Sequence, residues 1–378
     1  MSQKATFRSF APVQSTEAQL CAGEWVEVLS KEEILRTLDH NGRYQDLPFM
    51  PQMFRYCGQR FQVYKRAHKT CDTVSGQYVG LRLSHAVHLD LRCDGQAYGG
   101  CQAACLIFWK EAWLKRVGEE DTKLPSIANL LSKPGEAGCT EPDVWRATKH
   151  GLPGAPIYSC QATELLHFTT PLKWWDARQY VEAYRSGNES LGGLLRGFAY
   201  LFYYYVTLSN WHGLGRPGRW LYDRFQQVWG GVPFPRRAGQ IPVGKPTPRC
   251  DLGLKPGDLV RVKPYQEILA TLDTRNSNRG LSFDAELVPY CGKIYRVKTR
   301  VDKFIDEKTG KMRHLRTPAV MLEGVTCKSR YCGQRMFCPR SIHSWWREIW
   351  LEKLSEAPAE REAACEDREA RSEERKVA

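Results

Sequence analysis

The chain has 378 residues, of which 42% are hydrophobic and 26% are charged, with a formal net charge of +13. These values are typical of a globular protein long enough for two or three domains with buried cores. No run reaches the ~18 apolar residues that a membrane span needs, and the polar start of the chain predicts no secretory signal. The positive charge favours an acidic partner: nucleic acid, a phosphorylated metabolite or an acidic carrier protein.

The cysteine content indicates the compartment. Fourteen cysteines occur in a chain for which we predict no export signal. In a reducing compartment, clustered thiols bind metal more often than they form disulfides. We therefore expect a cytoplasmic protein with metal-binding cysteines.

A first structural unit is predicted at residues 23–117, after a flexible leader at residues 1–22. Alternating apolar residues predict an opening strand, and Ser30 with Glu33 predicts a capped helix at residues 31–39. Further strands are expected after the turn at Cys57 and at residues 86–89. The unit ends with a cysteine-rich loop, residues 92–105, and a tryptophan-rich run, residues 106–114.

The middle region, residues 118–256, has a different character. Its first part is rich in proline and glycine, which predicts loops. Three helices are then expected, the second of them strongly aromatic, and a Pro- and Gly-rich linker comes after them. The predicted helices cover residues 171–184, 190–209 and 217–229, and the linker covers residues 232–255.

The last third of the chain repeats the first unit. Residues 257–262 match 23–28, residues 266–273 match 32–39, residues 290–297 match 56–63, and residues 319–323 match 86–90. A match this dense and this ordered predicts an internal duplication, with a second unit at residues 257–354. Residues 355–378 form a charged tail, for which we predict a frayed helix or disorder.

The opening Gly-Asp-x-Val-x-Val at residues 257–262, followed by a short helix and hairpins, resembles the small SH3-like barrels, including the KOW-type barrels of nucleic-acid-associated proteins. The resemblance covers residues 23–117 and 257–354. It implies a small five-stranded barrel in each unit and leaves the function open, because such barrels have many unrelated roles. We predict an α+β protein with two SH3-like β-barrel repeats, bridged by an aromatic helical segment.

Each repeat carries cysteines in a loop just before its tryptophans. Two thiols on a glycine-rich loop suit a metal, because the loop turns tightly and can point both sulfurs inward. His68 could also complete the first site, and the alternative is that these cysteines are small buried apolar residues. The predicted metal ligands are Cys71, Cys93, Cys101 and Cys105 in the first repeat and Cys327, Cys332, Cys338 and His343 in the second.

Two kinds of metal site fit these ligands, a zinc ion and an iron–sulfur cluster. A set of three cysteines and one histidine in the second repeat favours zinc. Four sulfurs in the first repeat could instead hold an iron–sulfur cluster. A site that recurs in both repeats favours a structural role. Cys57 and Cys291 each precede a glycine at a tight turn, and packing of a small buried residue is favoured there over metal ligation.

Candidates for catalysis are Cys160 and His167, because a histidine near a cysteine can activate the thiol. Cys160 is alternatively a further ligand of the first metal site. The chain contains no P-loop, no GxGxxG on a strand–helix turn, no HExxH and no GxSxG. These absences lower the odds of the commonest nucleotide-binding and hydrolase chemistries, and whether the protein is an enzyme stays open.

Two further patterns bear on partners. The recurring pairs Trp109 with Trp113 and Trp346 with Trp350 favour core packing, with stacking on nucleic-acid bases as the alternative. Lysines and arginines are dense between residues 293 and 316 of the second repeat. They could follow a phosphate backbone, and a merely solvated hairpin would look the same.

The function predicted from these features is metal binding, with tandem barrels that bind an acidic partner such as nucleic acid or a carrier protein. The alternative is a metalloenzyme of biosynthesis, in which the metal site of the first repeat faces a pocket lined by the aromatic middle helices. Closed sites with four protein ligands favour the first function. An open coordination position, or a cluster beside a cavity, favours the second.

Overall fold

The computed structural model describes residues 19–77, 79–117, 138–152 and 154–354. Helices and strands occur in equal shares, in agreement with the predicted α+β class. No closed barrel is detected in these ranges. Most of the predicted leader, residues 118–137 of the predicted loop region and the whole of the charged tail, residues 355–378, lie outside the described residues.

The first repeat is built from short strands and one helix, α1 (Lys31–Thr37). The helix begins at the predicted cap, where the side chains and amides of Ser30 and Glu33 exchange hydrogen bonds. Ile34 on its inner face is fully buried. The strands are β1 (Trp25–Val28), β2 (Arg43–Tyr44), β3 (Leu47–Pro48), β4 (Arg60–Gln62), β5 (Lys65–Arg66), β6 (Lys69–Cys71), β7 (Gly80–Arg82), β8 (Ala86–His88), β9 (Trp109–Lys110) and β10 (Leu114–Arg116).

The middle region holds the longest helices. Its elements are α2 (Glu141–Arg146), β11 (Lys149–Leu152), β12 (Ala155–Tyr158), β13 (Thr170–Leu172), α3 (Arg178–Arg185), α4 (Leu191–Leu208) and α5 (Gly215–Val228). The predicted second and third helices are confirmed as α4 and α5. The predicted helix at residues 171–184 is wrong in its first half, where β13 instead pairs with β7 of the first repeat. Residues 170–172 form a strand because the edge of β7 offers backbone hydrogen bonds, and this pairing outweighs the local preference for a helix.

The second repeat contains the same elements with longer strands. They are β14 (Leu259–Val262), α6 (Tyr265–Ala270), β15 (Ser277–Asn278), β16 (Leu281–Ser282), β17 (Ile294–Ile305), β18 (Met312–Thr326), β19 (His343–Trp346) and β20 (Leu351–Lys353). Five of these strands form one sheet in the order β19-β18-β17-β14-β20. The matching positions of the first repeat fall into three sheets, β10-β1-β4, β5-β8-β9 and β13-β7-β6, the last of which includes β13 of the middle region.

Strand registers agree between the repeats. Val26 faces Phe61 across β1 and β4, and its equivalent Val260 faces Tyr295 across β14 and β17. Val87 pairs with Trp109 just as Val320 pairs with Trp346. Each repeat has its own buried core, and the tryptophans Trp109, Trp113, Trp346 and Trp350 are fully buried in these cores. The predicted core packing of these tryptophans is confirmed, and burial excludes the alternative of base stacking.

The two repeats contact each other reciprocally. Lys69 Nζ donates to the carbonyl of Met336 at 2.8 Å, and its equivalent Lys303 donates to the carbonyl of Gly99 at 2.9 Å. Gly99 stands ten residues before Trp109, and Met336 stands ten residues before the equivalent Trp346. Exchange of equivalent contacts is the pattern of a two-fold symmetric interface, here within one chain. No helix in the described ranges is both long enough and apolar enough to cross a membrane.

Candidate metal centres

The cysteine-rich loop of the first repeat folds back on itself at Gly95. This residue has φ of +72°, and a Cβ at this position would lie 1.9 Å from the carbonyl oxygen of Cys101. Only glycine allows so close an approach of two backbone segments. The amide of Cys93 donates to the carbonyl of Cys105 at 2.9 Å, which closes the loop at its base.

Four cysteines line a single cavity of about 30 Å³ at this loop. We call this group centre 1. Three of its members come from the loop and one comes from the segment after β12, about 55 residues further on. The cavity could hold about one or two water molecules. The members of centre 1 are Cys93, Cys101, Cys105 and Cys160.

Several sulfurs of centre 1 accept hydrogen bonds from amides. The amide of Gly95 donates to Cys93, and the amides of Ala162 and Thr163 donate to Cys160. The amide of Ile305 donates to the sulfur of Cys101 at 3.4 Å. Amide donors aimed at sulfur stabilise a thiolate, which is the form that binds a metal. Such hydrogen bonds are the usual surroundings of cysteine-bound clusters.

The second group of cysteines forms between the repeats. Cys71, in β6 of the first repeat, shares a hydrogen bond with Cys338 of the second. Cys332 shares one with Cys327, and these two sulfurs lie with an oxygen of Glu286 within 4.8 Å of one another. Cys327 also acts electrostatically on Cys338, which indicates that the two pairs are neighbours. We call Cys71, Cys327, Cys332 and Cys338 centre 2.

Centres 1 and 2 are related by the reciprocal interface. Cys101 and Cys338 are equivalent residues, and so are Ile305 and Cys71. The ends of β17 and β6 therefore each contact the other repeat. Ile305 of β17 contacts Cys101, and Cys71 of β6 contacts Cys338. The sulfurs of Cys338, Cys93 and Cys160 share a further feature. Each accepts a hydrogen bond from the backbone amide two residues later in the chain.

A polar side chain stands at the same place beside each centre. Gln52 Nε2 donates to the sulfur of Cys93 at 3.2 Å, and the equivalent Glu286 Oε1 accepts from the sulfur of Cys332 at 3.2 Å. Both side chains are buried, and Gln52 Oε1 and Glu286 Oε2 have no hydrogen-bond partner among the described residues. An unpaired buried oxygen is rare and calls for an ion or water. Both centres therefore have polar atoms that the described part of the chain leaves unsatisfied.

Burial keeps most of these thiols protonated when no metal is present. It raises the pKa of Cys93 to about 12 and that of Cys160 to about 11. Burial opposes ionisation of Cys338 as well, but the hydrogen bonds from Cys71 and from the amide of Arg340 bring its pKa down to about 7. A metal ion would replace the protons of the buried thiols.

Arg340 lies between the two centres. Its side chain is 2% exposed, lines the cavity of centre 1, and acts electrostatically on Cys71, Cys105 and Cys338. It donates to Thr73 at 2.7 Å and to Glu307 at 3.0 Å. Thr73 and Glu307 are equivalent residues of the two repeats and contact each other directly. A buried cation at this position would stabilise negative charge in both centres.

The structure regroups the predicted metal ligands. Cys93, Cys101 and Cys105 lie together, as predicted for the first site, and Cys327, Cys332 and Cys338 lie in the second. Spacing predicts Cys71 in the first site, but it lies in the second. Cys160, predicted as a catalytic residue or a further ligand, lies in the first. Sequence reasoning missed Gln52, Glu286, Glu307 and Arg340. Gln52 and Glu286 could have been found, since they occupy equivalent positions of the repeats.

The three candidate histidines, His68, His167 and His343, are not among the residues that form centres 1 and 2. His343 is held by Lys298 Nζ at 3.1 Å and by the carbonyl of Val325 at 3.4 Å. His68 contacts Asn188 at 3.4 Å. His167 is largely exposed and pairs with Glu164 at 2.8 Å, whereas Cys160 faces the cavity. The structure does not bring Cys160 and His167 together as a catalytic pair.

The remaining candidates have simple surroundings. Cys57 and Cys291 each end a 3₁₀ helix just before a glycine with positive φ, as expected for small residues at turns. Basic residues of β17 and β18 are partly paired within the protein: Arg300 with Glu348, and Arg313 with Asp306.

The aromatic helices α4 and α5 pack on the second repeat, through Tyr331, Met336 and Phe337. The cavity of centre 1 is lined by other parts of the chain.

Comparisons with known proteins give no further guide. No protein-family model, no curated protein and no solved structure matches this chain.

Proposed function

We propose that this protein is a metalloprotein with two cysteine centres, one for each repeat. The observation that carries the proposal is the convergence of four thiols, from two distant segments, on the one cavity of centre 1. These four thiols are half-buried and form no disulfide, and three of their sulfurs accept hydrogen bonds from amides, which favour the thiolate form that binds a metal. The equivalent arrangement of centre 2, with its unpaired Glu286 oxygen, supports the same conclusion independently.

The two centres differ in width, and we assign different metals to them. Sulfurs bound to one zinc ion at about 2.3 Å lie about 3.8 Å apart. Among the described residues, no three sulfurs of centre 1 lie within 4.8 Å of one another. Four cysteines held apart around a cavity suit an iron–sulfur cluster. In centre 2, Cys327, Cys332 and Glu286 do lie within 4.8 Å of one another. These three suit a single tetrahedral zinc ion, for which we assign Cys71 of the neighbouring Cys71–Cys338 pair as the fourth ligand.

Two features of the surroundings accord with this division. Beside centre 1 stands the neutral Gln52, whose amide donates to sulfur, as expected next to a cluster. Beside centre 2 stands the carboxyl group of Glu286, and Arg335 acts electrostatically on Cys332 and Cys71. The guanidinium would hold these thiolates in place around a small divalent ion.

The other parts of the predicted function stay within the proposal. An SH3-like arrangement is supported by the five-stranded sheet of the second repeat and by the matching registers of the first. Binding of an acidic partner, nucleic acid or a carrier protein, is supported by the exposed lysines of the β17–β18 hairpin and by the net charge of +13. A cytoplasmic location agrees with cysteines that are free throughout the described residues.

A metalloenzyme remains the second candidate. The observation that favours it is that Glu307 and Arg340 line the cavity together with the four cysteines, so ionisable groups stand beside the proposed cluster. The pocket, however, is lined by Met50, Tyr98 and Phe108 of the first repeat and by Glu307 and Arg340. The sequence predicted that the aromatic middle helices line this pocket, but no residue of α4 or α5 lines it.

The experiment compares metals in three variants of protein purified without oxygen. Cys160→Ser removes a ligand of centre 1, Cys71→Ser removes a ligand of centre 2, and Cys250→Ser changes a half-buried cysteine of the linker. Iron, acid-labile sulfide and zinc are measured together with the visible absorption spectrum. We expect loss of iron and sulfide with retained zinc for Cys160→Ser, the reverse for Cys71→Ser, and no change for Cys250→Ser.

The outcomes separate the parts of the proposal. Parent protein free of metal would overturn it entirely. Zinc in both centres would overturn the assignment of a cluster and keep two centres. Loss of the same metal in Cys71→Ser and Cys160→Ser would show that the division of the cysteines into two groups is wrong. Circular dichroism of each variant distinguishes loss of a ligand from loss of the fold.

A further inference from the structure

The hairpin of α4 and α5 exposes an unusual amount of apolar surface. On α4 the exposed residues recur every three or four positions and form a stripe along the helix, and on α5 a second stripe has the same spacing. The exposed fraction of the side chain is 51% for Leu221 and 81% for Val228, both on α5. The two stripes consist of Leu191, Leu195, Phe198, Phe202, Tyr205 and Leu208 on α4 and of Leu221, Phe225 and Val228 on α5.

The inner side of the hairpin is already occupied. Leu194 and Leu201 pack against Met336 and Phe337 of the second repeat. Tyr222 packs against Tyr200 and Phe234. The stripes are therefore a second apolar surface, left over after the hairpin has been packed onto the protein. Contiguous apolar surface of this kind marks an interaction site.

The charges of the hairpin are nearly all positive. Between residues 191 and 229 there are four arginines and a single acidic residue, Asp223, which pairs with Arg237. In the described parts of the chain, no carboxylate lies within ion-pairing distance of Arg196, Arg216 or Arg224. A second copy of the same hairpin would place arginines against arginines, which disfavours self-association.

We propose that the α4–α5 hairpin binds the surface of anionic membranes. An amphipathic helix with leucine and aromatic residues on one side and arginines at its edges lies in the lipid interface. Tryptophan and tyrosine prefer this depth, and Trp220 and Trp229 are 64% and 74% exposed. Lipid phosphates supply the negative charge that the hairpin lacks. The helices lie on the membrane and do not cross it.

This proposal does not rest on the metal centres, and its test leaves them intact. The probe is vesicles of phosphatidylcholine with 30% phosphatidylglycerol, compared with phosphatidylcholine alone, in a flotation assay at low and at physiological ionic strength. The variants are Phe202→Ser with Phe225→Ser, which interrupt both stripes, and Arg216→Gln with Arg224→Gln, which reduce the charge. The matched control is Trp25→Ser with Ile294→Ser, two exposed apolar residues on strands of the repeats.

We expect the parent and the control to float with the anionic vesicles, and binding to weaken at least tenfold in the stripe variant. The arginine variant should bind less and should lose most of its dependence on salt. Failure of the parent protein to bind anionic vesicles would overturn the proposal. So would binding that the stripe substitutions do not change. A dimer in solution that the stripe substitutions convert to a monomer would overturn it too, because it would identify a second copy as the occupant.

Discussion

One buried core position at which the two repeats differ is His88 in the first repeat and Met321 in the second. His88 is fully buried, its Nδ1 lies 2.8 Å from the carbonyl of Ile107, and its Nε2 has no partner among the described residues. Burial lowers the pKa of His88 to about 3. The equivalent position in the second repeat is occupied by Met321. The first repeat thus contains a buried base where the second has an apolar side chain.

This difference predicts a pH dependence. Below about pH 6.5 the unfolded chain protonates His88, whereas the folded protein does not until about pH 3, so stability is lost as the pH falls through this window. The loss is at most about 1.4 kcal/mol per pH unit. We expect His88→Met to change stability little at pH 7.5 and to be about 2 kcal/mol less sensitive to acid between pH 6.5 and pH 4.5.

Urea unfolding of parent and variant at both pH values, with a chelator present throughout, measures the difference. His40→Met is the control, because His40 is exposed and its substitution should leave the acid sensitivity unchanged. Equal acid sensitivity of parent and His88→Met would show that His88 is protonated in the folded protein.

Among the elements, α4 depends most on close packing. A Cβ on Gly197 would lie 2.4 Å from Phe337 and 2.8 Å from Met336, whereas a Cβ on Gly192 would meet no described atom within 4 Å. Both glycines belong to the same helix. Alanine at either position favours the helix by up to about 1 kcal/mol. Only at Gly197 does the added methyl group also push the helix away from the cysteine loop of centre 2.

We therefore expect opposite signs for the two substitutions. Gly192→Ala should stabilise the protein slightly, and Gly197→Ala should destabilise it by about 1–3 kcal/mol, the cost of overpacking. Denaturant unfolding measures both, and limited proteolysis shows whether α4 detaches. Stabilisation by both alanines would mean that the helix does not lie against Phe337.

At the scale of the whole molecule, the reciprocal contacts couple the two repeats. Each centre takes a contact from the other repeat, and Arg340 with Glu307 and Thr73 lies buried where the repeats meet. Independent units would unfold in two steps. Because each repeat here completes the surroundings of the other, we expect one cooperative transition in calorimetry.

Glu307→Gln tests this coupling. It leaves the buried charge of Arg340 without its carboxylate and should cost about 3 kcal/mol. The single transition should move to lower temperature without splitting. Glu352→Gln, which removes an exposed pair with Arg261, is the control and should have little effect. Two separate transitions in the parent would refute the coupling.

Local features can be read from the sequence alone. The cap of α1 by Ser30 and Glu33, the extents of α4 and α5 and the burial of the tryptophans depend on residues a few positions apart, and propensity and periodicity report these directly. The predicted first half of the helix at residues 171–184 failed because a distant strand edge decided its conformation.

The composition of the two centres was decided by tertiary structure. Spacing along the chain groups Cys71 with the first loop and His343 with the second, because neighbours in sequence are the only neighbours that a sequence displays. In the fold, Cys71 meets Cys338 across more than 260 positions, His343 contacts Lys298, and Cys160 joins the first loop. The amino-acid sequence determined which residue types were duplicated, and the packing of one repeat against the other determined which thiols meet.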